Sequence, residues 1–296
     1  MRDADILRVA VGFFDGVHIG HRAILEGADR AVTFRNHPLS VLSPERAPRL
    51  IMDERTRLDA IAACGVRDVV ALDFTKDTAH MPPEEFALNH LAGGSVEAVP
   101  RTRVLCGANW RFGRGGAGDA GLLRRMSFEV VVVPYAEYKG ERVSSSRIRQ
   151  AIECGAIEDA NAMLGRRYSV FGETFAGKGE GASLGYPTVN IDVGEQSLKM
   201  PTGVYEVEVS GARGVANYGV APTFGERAWK RPVLEIHFPC ERPEIPSGAG
   251  AVCVSFVRFM RPERAFGTLE ELKRQISSDC ESVVRGSGNI HATLDN

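Results

Sequence analysis

The sequence predicts an α/β protein with two modules, a Rossmann-like parallel sheet covered by helices and then an antiparallel β-barrel with a C-terminal helix. A length of 296 residues allows two domains of ordinary size. Apolar strands alternate with helical segments before Gly165, which is typical of a parallel sheet. After Gly165 the strands are short and separated by glycine and proline turns, which favours a barrel.

The first module contains five strand-like segments separated by stretches of helical pattern. We expect FEVVVVPY, residues 128–135, to lie at the centre of the sheet because it is almost wholly apolar. The other predicted strands are residues 8–14, 30–34, 67–74 and 101–107, and the predicted helices are residues 21–30, 53–65 and 83–93.

The second module begins after a helical stretch at residues 145–165. Its predicted strands are residues 168–175, 187–191, 203–211, 213–220, 233–238 and 251–260. A final helix, residues 268–279, carries Leu269, Leu272 and Ile276 at helical spacing, and we expect it to pack on the barrel. The predicted domains are therefore residues 1–164 and 165–285, followed by a loose tail at residues 286–296.

The composition is that of a globular protein, with 44% hydrophobic and 25% charged residues. A net charge of -2 gives no general attraction for nucleic acid or for an anionic membrane, so we expect neither as a partner. Six scattered cysteines without metal-ligand spacing, and an N-terminus without a signal-peptide pattern, predict a cytoplasmic protein. The sequence does not specify an oligomeric state.

The first candidate site is the segment GFFDGVHIGH, residues 12–21, where a predicted strand leads into a helix. Backbone N–H groups at a helix start can bind phosphate oxygens, and His18 and His21 can donate hydrogen bonds to charge that develops on an α-phosphate. Taken alone, the two histidines could equally be a capping pair or a metal pair.

A second phosphate-binding candidate is the helix start at residues 144–149. Its serine hydroxyls and two guanidinium groups suit the β- and γ-phosphates of ATP. Serine capping of a helix with solvated arginines is the structural alternative, and both roles can coexist.

The third candidate site follows a glycine-rich loop at residues 177–185. Thr188 and Asn190 share one face of the next strand, and two hard oxygen ligands on one face suit Mg²⁺ bound with nucleotide phosphates. Glu235 and His237 likewise share a face, directed away from the barrel core. Taken without the neighbouring motifs, the loop could be a simple turn, and Glu235 could be an ordinary exposed residue of a strand.

Several motifs in order along the chain resemble those of one family. HIGH at residues 18–21 resembles the HxGH signature of nucleotidyltransferases. GFFDGVHIGH, TFRNHP at 33–38, GANWRFG at 107–113 and VSSSRIR at 143–149 are similar to segments of bacterial bifunctional riboflavin kinase/FMN adenylyltransferases. LGYPTVNI at 184–191, NYGVAPTFG at 217–225 and LEIH at 234–237 resemble the kinase half of that family.

The resemblance implies phosphorylation of riboflavin to FMN and adenylylation of FMN to FAD, with ATP as co-substrate and Mg²⁺ as cofactor. It implies that His18 and His21 are catalytic in the first module and that Glu235 is the general base of the second. It assigns nucleotide binding to Gly12, Phe13, Asp15, Gly20, Asn109, Arg142, Ser145, Ser146, Arg149, Gly177, Lys178, Gly179 and Gly185. It assigns flavin binding to His37, Pro38 and Asn217, and metal binding to Thr188 and Asn190.

The glycine-rich loop departs from the family pattern because Glu180 stands where arginines are common. A carboxylate beside ATP phosphates is unfavourable unless it faces solvent. A monofunctional FMN adenylyltransferase with an impaired kinase half is therefore one alternative, and a non-catalytic flavin-binding protein is another. A different nucleotidyltransferase would fit the HxGH motif but would leave the second module unexplained. Trp110 also replaces a phenylalanine of the family.

Overall fold

The computed structural model describes residues 6–177, 180–194, 198–220, 232–245 and 251–288. The chain divides into two compact units, Met1–Arg147 and Ile148–Asn296. This division precedes Gly165, where the sequence analysis places the boundary between the domains. The domain limits at residues 164 and 285 stay a prediction.

The first unit is built on a parallel sheet of five strands, as predicted. Their spatial order is β3-β2-β1-β4-β5. All four neighbouring pairs run parallel. The strands are β1 (Leu7–Val11), β2 (Arg30–Phe34), β3 (Asp68–Leu72), β4 (Thr102–Gly107) and β5 (Glu129–Val133). A separate two-stranded hairpin follows, formed by β6 (Glu137–Tyr138) and β7 (Glu141–Arg142).

The prediction that residues 128–135 form the central strand is wrong. Strand β1 is central, and its Val9 and Ala10 are fully buried because β2 and β4 pair with it on both sides. Strand β5 pairs only with β4, and Val131 on it is 40% exposed. An apolar run therefore does not by itself place a strand in the middle of a sheet, because an edge strand can also bury one face under helices.

Helices connect these strands and begin at residues that cap them. Asp53, Thr75 and Asp119 each accept the backbone N–H three residues later. The predicted helix at residues 83–93 is a short α-helix that continues into a π-helical turn, Ala87–Leu91. The helices are α1 (Ile19–Leu25), α2 (Leu39–Leu42), α3 (Glu54–Ala62), α4 (Lys76–His80), α5 (Pro83–Phe86), α6 (Ala120–Arg125) and α7 (Ser145–Glu153), which extends into the second unit.

The second unit is a closed antiparallel barrel, as predicted. Its strand order is β10-β11-β12-β9-β8-β13. Helix α8 (Ile157–Leu164) packs against β8 and β13. A short helix α9 (Glu180–Ser183) lies within the glycine-rich loop. The strands are β8 (Tyr168–Phe175), β9 (Thr188–Asp192), β10 (Gly203–Val209), β11 (Ala212–Val220), β12 (Pro232–His237) and β13 (Val252–Pro262).

The C-terminal helix is longer than predicted. Helix α10 (Leu269–Gly288) includes residues 286–288, which were expected to belong to a loose tail, and residues 289–296 lie outside the described part of the chain. The helix packs on the barrel through Ile276, as predicted, but its other contacts differ from the prediction. Leu269 is 49% exposed, whereas Cys280 and Val283 are buried against the barrel. The side chains that contact the barrel lie toward the C-terminal half of the helix, so the start of the helix is exposed to solvent.

Charged side chains also connect α10 to strand β13. Arg261 forms a salt bridge with the buried carboxylate of Asp279 at 2.7 Å. Arg258 donates to Ser282 on the helix and to the buried Glu206 of β10. These bonds satisfy carboxylates that would be costly to bury alone, so they fix the helix along one side of the barrel. Among the described residues, no helix is long and apolar enough to cross a membrane.

Candidate active sites

The first unit has a cavity of about 370 Å³ beyond the carboxyl ends of β1, β4 and β5. Ligands bind in this position in open parallel sheets. Phe14, Ile24 and Val133 supply apolar walls. The predicted site residues that line the cavity are Gly12, Phe13, His18, Gly20, His21, Asn109, Arg142, Ser145 and Ser146.

His18 is the N-cap of helix α1. Its Nδ1 accepts a hydrogen bond from the backbone N–H of His21 at 3.2 Å. An imidazole nitrogen that accepts carries no proton, so neutral His18 is protonated on Nε2. Capping and catalysis are therefore compatible here, because the cap fixes the tautomer that has an N–H left to donate.

His21 lies parallel to His18, with ring centroids 3.5 Å apart. Burial lowers the pKa of His21 well below its usual value, and the neighbouring His18 lowers it further. The Nδ1 atom of His21 is buried and has no hydrogen-bond partner among the described residues. His21 is therefore held neutral at physiological pH, and a bound polyphosphate would meet a polar ring at this position instead of a full positive charge.

The start of helix α7 lies beside these histidines. Ser145 donates its hydroxyl to the backbone carbonyl of Asp15 at 2.9 Å, and Arg142 stacks on Tyr135 at 3.8 Å from the ring centroid. Arg147, the other guanidinium of this segment, has backbone partners of its own. Arg147 donates to the carbonyls of Tyr138 and Glu141, so it holds the preceding hairpin.

Four other residues that were predicted to bind ligands at this site do not line the cavity. Asp15 is buried and accepts the backbone N–H of Ile51 at 3.0 Å, which makes it a support of the loop. His37 accepts the N–H of Leu39 and contacts the edge of Phe13. Pro38 begins the next helix, and Arg149 lies one turn after Ser145 in α7. Their roles in binding stay predictions.

Sequence reasoning missed Arg57, a fully buried arginine of helix α3. Its guanidinium donates to the carbonyls of Phe13 at 3.0 Å, Phe34 at 2.8 Å and Arg35 at 2.9 Å. It also lies 4.3 Å from the centroid of the Phe13 ring. Arg57 thus joins the strand ends of β1 and β2 at the cavity. The sequence did carry a sign of its burial. Arg57 precedes Ile61 by four residues, so the two lie on the same apolar face of helix α3.

The barrel has a second cavity, of about 560 Å³. Thr188, Asn217 and Glu235, all predicted site residues, line it. Glu235 lies directly opposite Asn190 on β9 and opposite Asn217 on β11. Residues 234–238 alternate between buried and half-buried, with Glu235 and His237 on the side away from the core. The predicted alternation is confirmed.

The glycine-rich loop approaches this wall closely. A Cβ on Gly177 would overlap the side-chain amide of Asn190, and one on Gly181 would lie 2.5 Å from the carbonyl of Tyr186. Gly185 has a φ of +90°, which favours glycine. Lys178 and Gly179 lie outside the described residues, as does the Glu180 side chain, so the predicted effect of that carboxylate stays a prediction.

The remaining walls of the barrel cavity differ in character. Val204, Val215, Leu272 and Ile276 form an apolar side, suited to a flat ring system. His237 donates from Nδ1 to the carbonyl of Pro187 at 3.0 Å and meets Tyr186 edge to face. Sequence reasoning missed Glu263, a second carboxylate that lines the cavity near Glu235.

Comparisons with known proteins agree with this two-part architecture. The FAD synthetase family profile matches residues 2–147, and the riboflavin kinase profile matches residues 164–285. A structure described as a macrolide-efflux protein from Streptococcus pneumoniae has a TM-score of 0.81 at 25% identity, over 94% of this chain and 93% of that one. This likeness extends over both units.

Three curated relatives carry the name bifunctional riboflavin kinase/FMN adenylyltransferase. The Listeria monocytogenes protein is 31% identical over 93% of this chain and 91% of the relative. The Escherichia coli K12 protein is 30% identical, over 92% and 90%. The Bacillus subtilis protein is 28% identical, over 95% and 93%. With an FAD synthetase domain followed by a riboflavin kinase domain, the chain belongs to the family of bifunctional riboflavin kinase/FMN adenylyltransferases.

Proposed function

We propose that the barrel cavity phosphorylates riboflavin and that the cavity of the first unit transfers the adenylyl group of ATP to FMN. The observation that carries this proposal is the placement of Asn190, Glu235 and Asn217 side by side on three adjacent barrel strands. A base beside two amides, under a glycine-rich loop, suits transfer of a phosphoryl group to a hydroxyl.

In the kinase reaction, Glu235 takes the proton from the terminal ribityl hydroxyl as its oxygen attacks the γ-phosphorus of ATP. The bond from that phosphorus to the β-γ bridging oxygen breaks, and ADP leaves. The apolar wall that includes Leu272 and Ile276 holds the flavin ring. Glu235 lies on the face away from the barrel core and lines the cavity, so its carboxylate can reach a bound substrate.

Thr188 and Asn190 would hold Mg²⁺ in this site. The fit rests on two observations, since Thr188 lines the cavity and the side-chain amide of Asn190 fills the space that a side chain at Gly177 would need. When bound, Mg²⁺ offsets the negative charge of the phosphates.

In the adenylylation reaction, an FMN phosphate oxygen attacks the α-phosphorus of ATP, and pyrophosphate leaves. His18 donates from Nε2 to the charge that develops on the α-phosphate, and the neutral ring of His21 stacks beside it. Arg142 and the serines at the start of α7 bind the leaving phosphates. Positioning and hydrogen bonding carry the rate, without a covalent intermediate.

A chromatographic assay with ATP and Mg²⁺ tests both reactions. The purified chain receives riboflavin in one tube and FMN in another, and FMN, FAD and ADP are measured over time. We expect FMN and then FAD from riboflavin, and FAD from FMN. FAD from the second tube alone would favour a monofunctional adenylyltransferase, while no product in either tube would favour a flavin-binding protein. Cytoplasmic localisation remains a prediction.

A further inference from the structure

Three adjacent barrel strands carry a row of polar side chains that continues, at the barrel cavity, to a second carboxylate. Asn190, Glu235 and Asn217 are neighbours on β9, β12 and β11. Glu263, just after the end of β13, lines the same cavity beyond Asn217. The row therefore places the side-chain amide of Asn217 between two carboxylates.

A hydrogen bond determines which way the Asn217 amide faces. Its Nδ2 donates to Oε1 of Glu263 at 3.1 Å. An ionised carboxylate only accepts, so Glu263 selects the amide rotamer that turns nitrogen toward it and oxygen away from it. The second N–H of Asn217 and its carbonyl oxygen are then available on the cavity side of the bond.

Gly219 keeps space for this arrangement. It lies two residues after Asn217 on β11 and therefore on the same face of the strand. A Cβ at Gly219 would overlap Oε1 of Glu263, and it would lie 3.5 Å from Nδ2 of Asn217. Because the overlapping atom is the end of a flexible side chain, an added methyl group would displace the Glu263 carboxylate and leave the strand in place.

We propose that Glu263 is a positioning residue of the kinase site, which fixes the Asn217 amide so that this amide binds the hydroxyl-bearing chain of riboflavin. This inference rests on the proposed kinase function. Glu263 acts through Asn217, while Glu235 remains the base. A hydroxyl both donates and accepts, and an amide of fixed orientation offers it one partner of each kind. Glu263 thereby favours flavins with an intact polyhydroxyl chain.

The test compares Glu263→Ala, Glu263→Gln, Gly219→Ala and the double variant Gly219→Ala/Glu263→Ala. Loss of one oriented hydrogen bond corresponds to about a fivefold weaker interaction. We expect Glu263→Ala and Gly219→Ala each to raise the KM for riboflavin by about that factor, with the KM for ATP unchanged. Glu263→Gln restores the acceptor and should lower the riboflavin KM again. In the double variant the two effects should not add, because both remove the same contact.

Glu173→Ala, an exposed glutamate of β8 outside the cavity, is the matched control. FAD formation from supplied FMN monitors the first unit of every variant, and an unchanged KM for ATP in the kinase reaction shows that the barrel is intact. Equal changes in the riboflavin and ATP KM values, full additivity in the double variant, or no rescue by glutamine would overturn the inference. If the unchanged chain forms no FMN, the proposed function fails, and equilibrium dialysis of riboflavin decides the inference separately. Equal riboflavin affinity of Glu263→Ala and the unchanged chain would then refute it.

Discussion

The two units place their functional groups in different ways. In the barrel, the polar groups stand on neighbouring strands, and the register of β9, β12 and β11 sets their spacing. In the parallel sheet, they come from a helix start and from loops that follow different strands. In a barrel wall, residues on paired strands lie at regular spacings. The edge of a parallel sheet is instead assembled from loops that are distant in sequence.

This difference predicts how each site responds to mutation. A strand residue such as Glu235 can lose its functional group while the ladder of backbone hydrogen bonds remains. In the first unit, His18 caps a helix and Asp15 holds a neighbouring loop with the same side chains that were proposed for chemistry. Substitutions in the first unit should therefore affect stability and activity together more often than substitutions in the barrel wall.

The largest expected effect separates the two activities at Glu235. Glu235→Gln keeps the shape of the side chain but removes the proton acceptor, so we expect FMN formation to fall by about 10²- to 10⁴-fold. FAD formation from supplied FMN should continue at the original rate. The measurement is the initial rate of each product by chromatography. Riboflavin phosphorylation that persists in this variant would remove Glu235 from the role of base.

The reciprocal experiment replaces His21 and His18 in the first unit. We expect His21→Ala to reduce FAD formation by about 10²-fold, since a preorganised donor beside the reacting phosphate is lost. FMN formation should be retained. His18→Asn is a sharper variant, because asparagine can still cap helix α1 but lacks a donor at the Nε2 position. A fully active and stable His18→Asn protein would limit His18 to capping.

The third prediction concerns the buried Arg57. Arg57→Met removes a fully buried guanidinium and leaves three partly buried carbonyl groups without their donor, so the free energy of unfolding of the first unit should fall by about 3 kcal/mol. FAD formation should also fall because the Phe13 carbonyl loses an anchor. Urea unfolding and the two product assays measure these effects. Arg55→Met, on the same helix, is the control, and equal destabilisation by both variants would contradict the assignment.

The barrel site was more predictable from the sequence than the sheet-edge site. Side chains alternate along a strand, so the common face of Glu235 and His237 followed directly from their spacing. Their opposition to Asn190 and Asn217 required strand register, which depends on the whole barrel. Glu263 escaped notice because it follows its strand and reaches Asn217 only through the closure of the barrel.

In the first unit, motif order located His18, His21 and Ser145 at one cavity, but the sequence could not assign contacts within each motif. Arg147 and Asp15 lie in the predicted segments and yet bind backbone groups of adjacent loops. Polar side chains at a loop-rich site are needed both for ligands and for the backbone that secondary structure leaves unpaired. Only the fold shows which polar groups the loops have already used.

The smallest expected effect is a pH dependence of stability in the first unit. Burial lowers the pKa values of His21 and His90, so the folded unit binds fewer protons than the unfolded chain. The free energy of unfolding should therefore decrease as the pH falls below about 6.5, by up to about 1.4 kcal/mol per pH unit for the buried His21, until its lowered pKa is reached. The half-exposed His90 should contribute much less, because solvent screens it. Trp229→Phe leaves Trp110 as the sole tryptophan, so its fluorescence during urea unfolding reports on the first unit. In that background, His21→Asn should make the free energy of unfolding less dependent on pH. An unchanged pH dependence would mean that folding does not lower the pKa of His21.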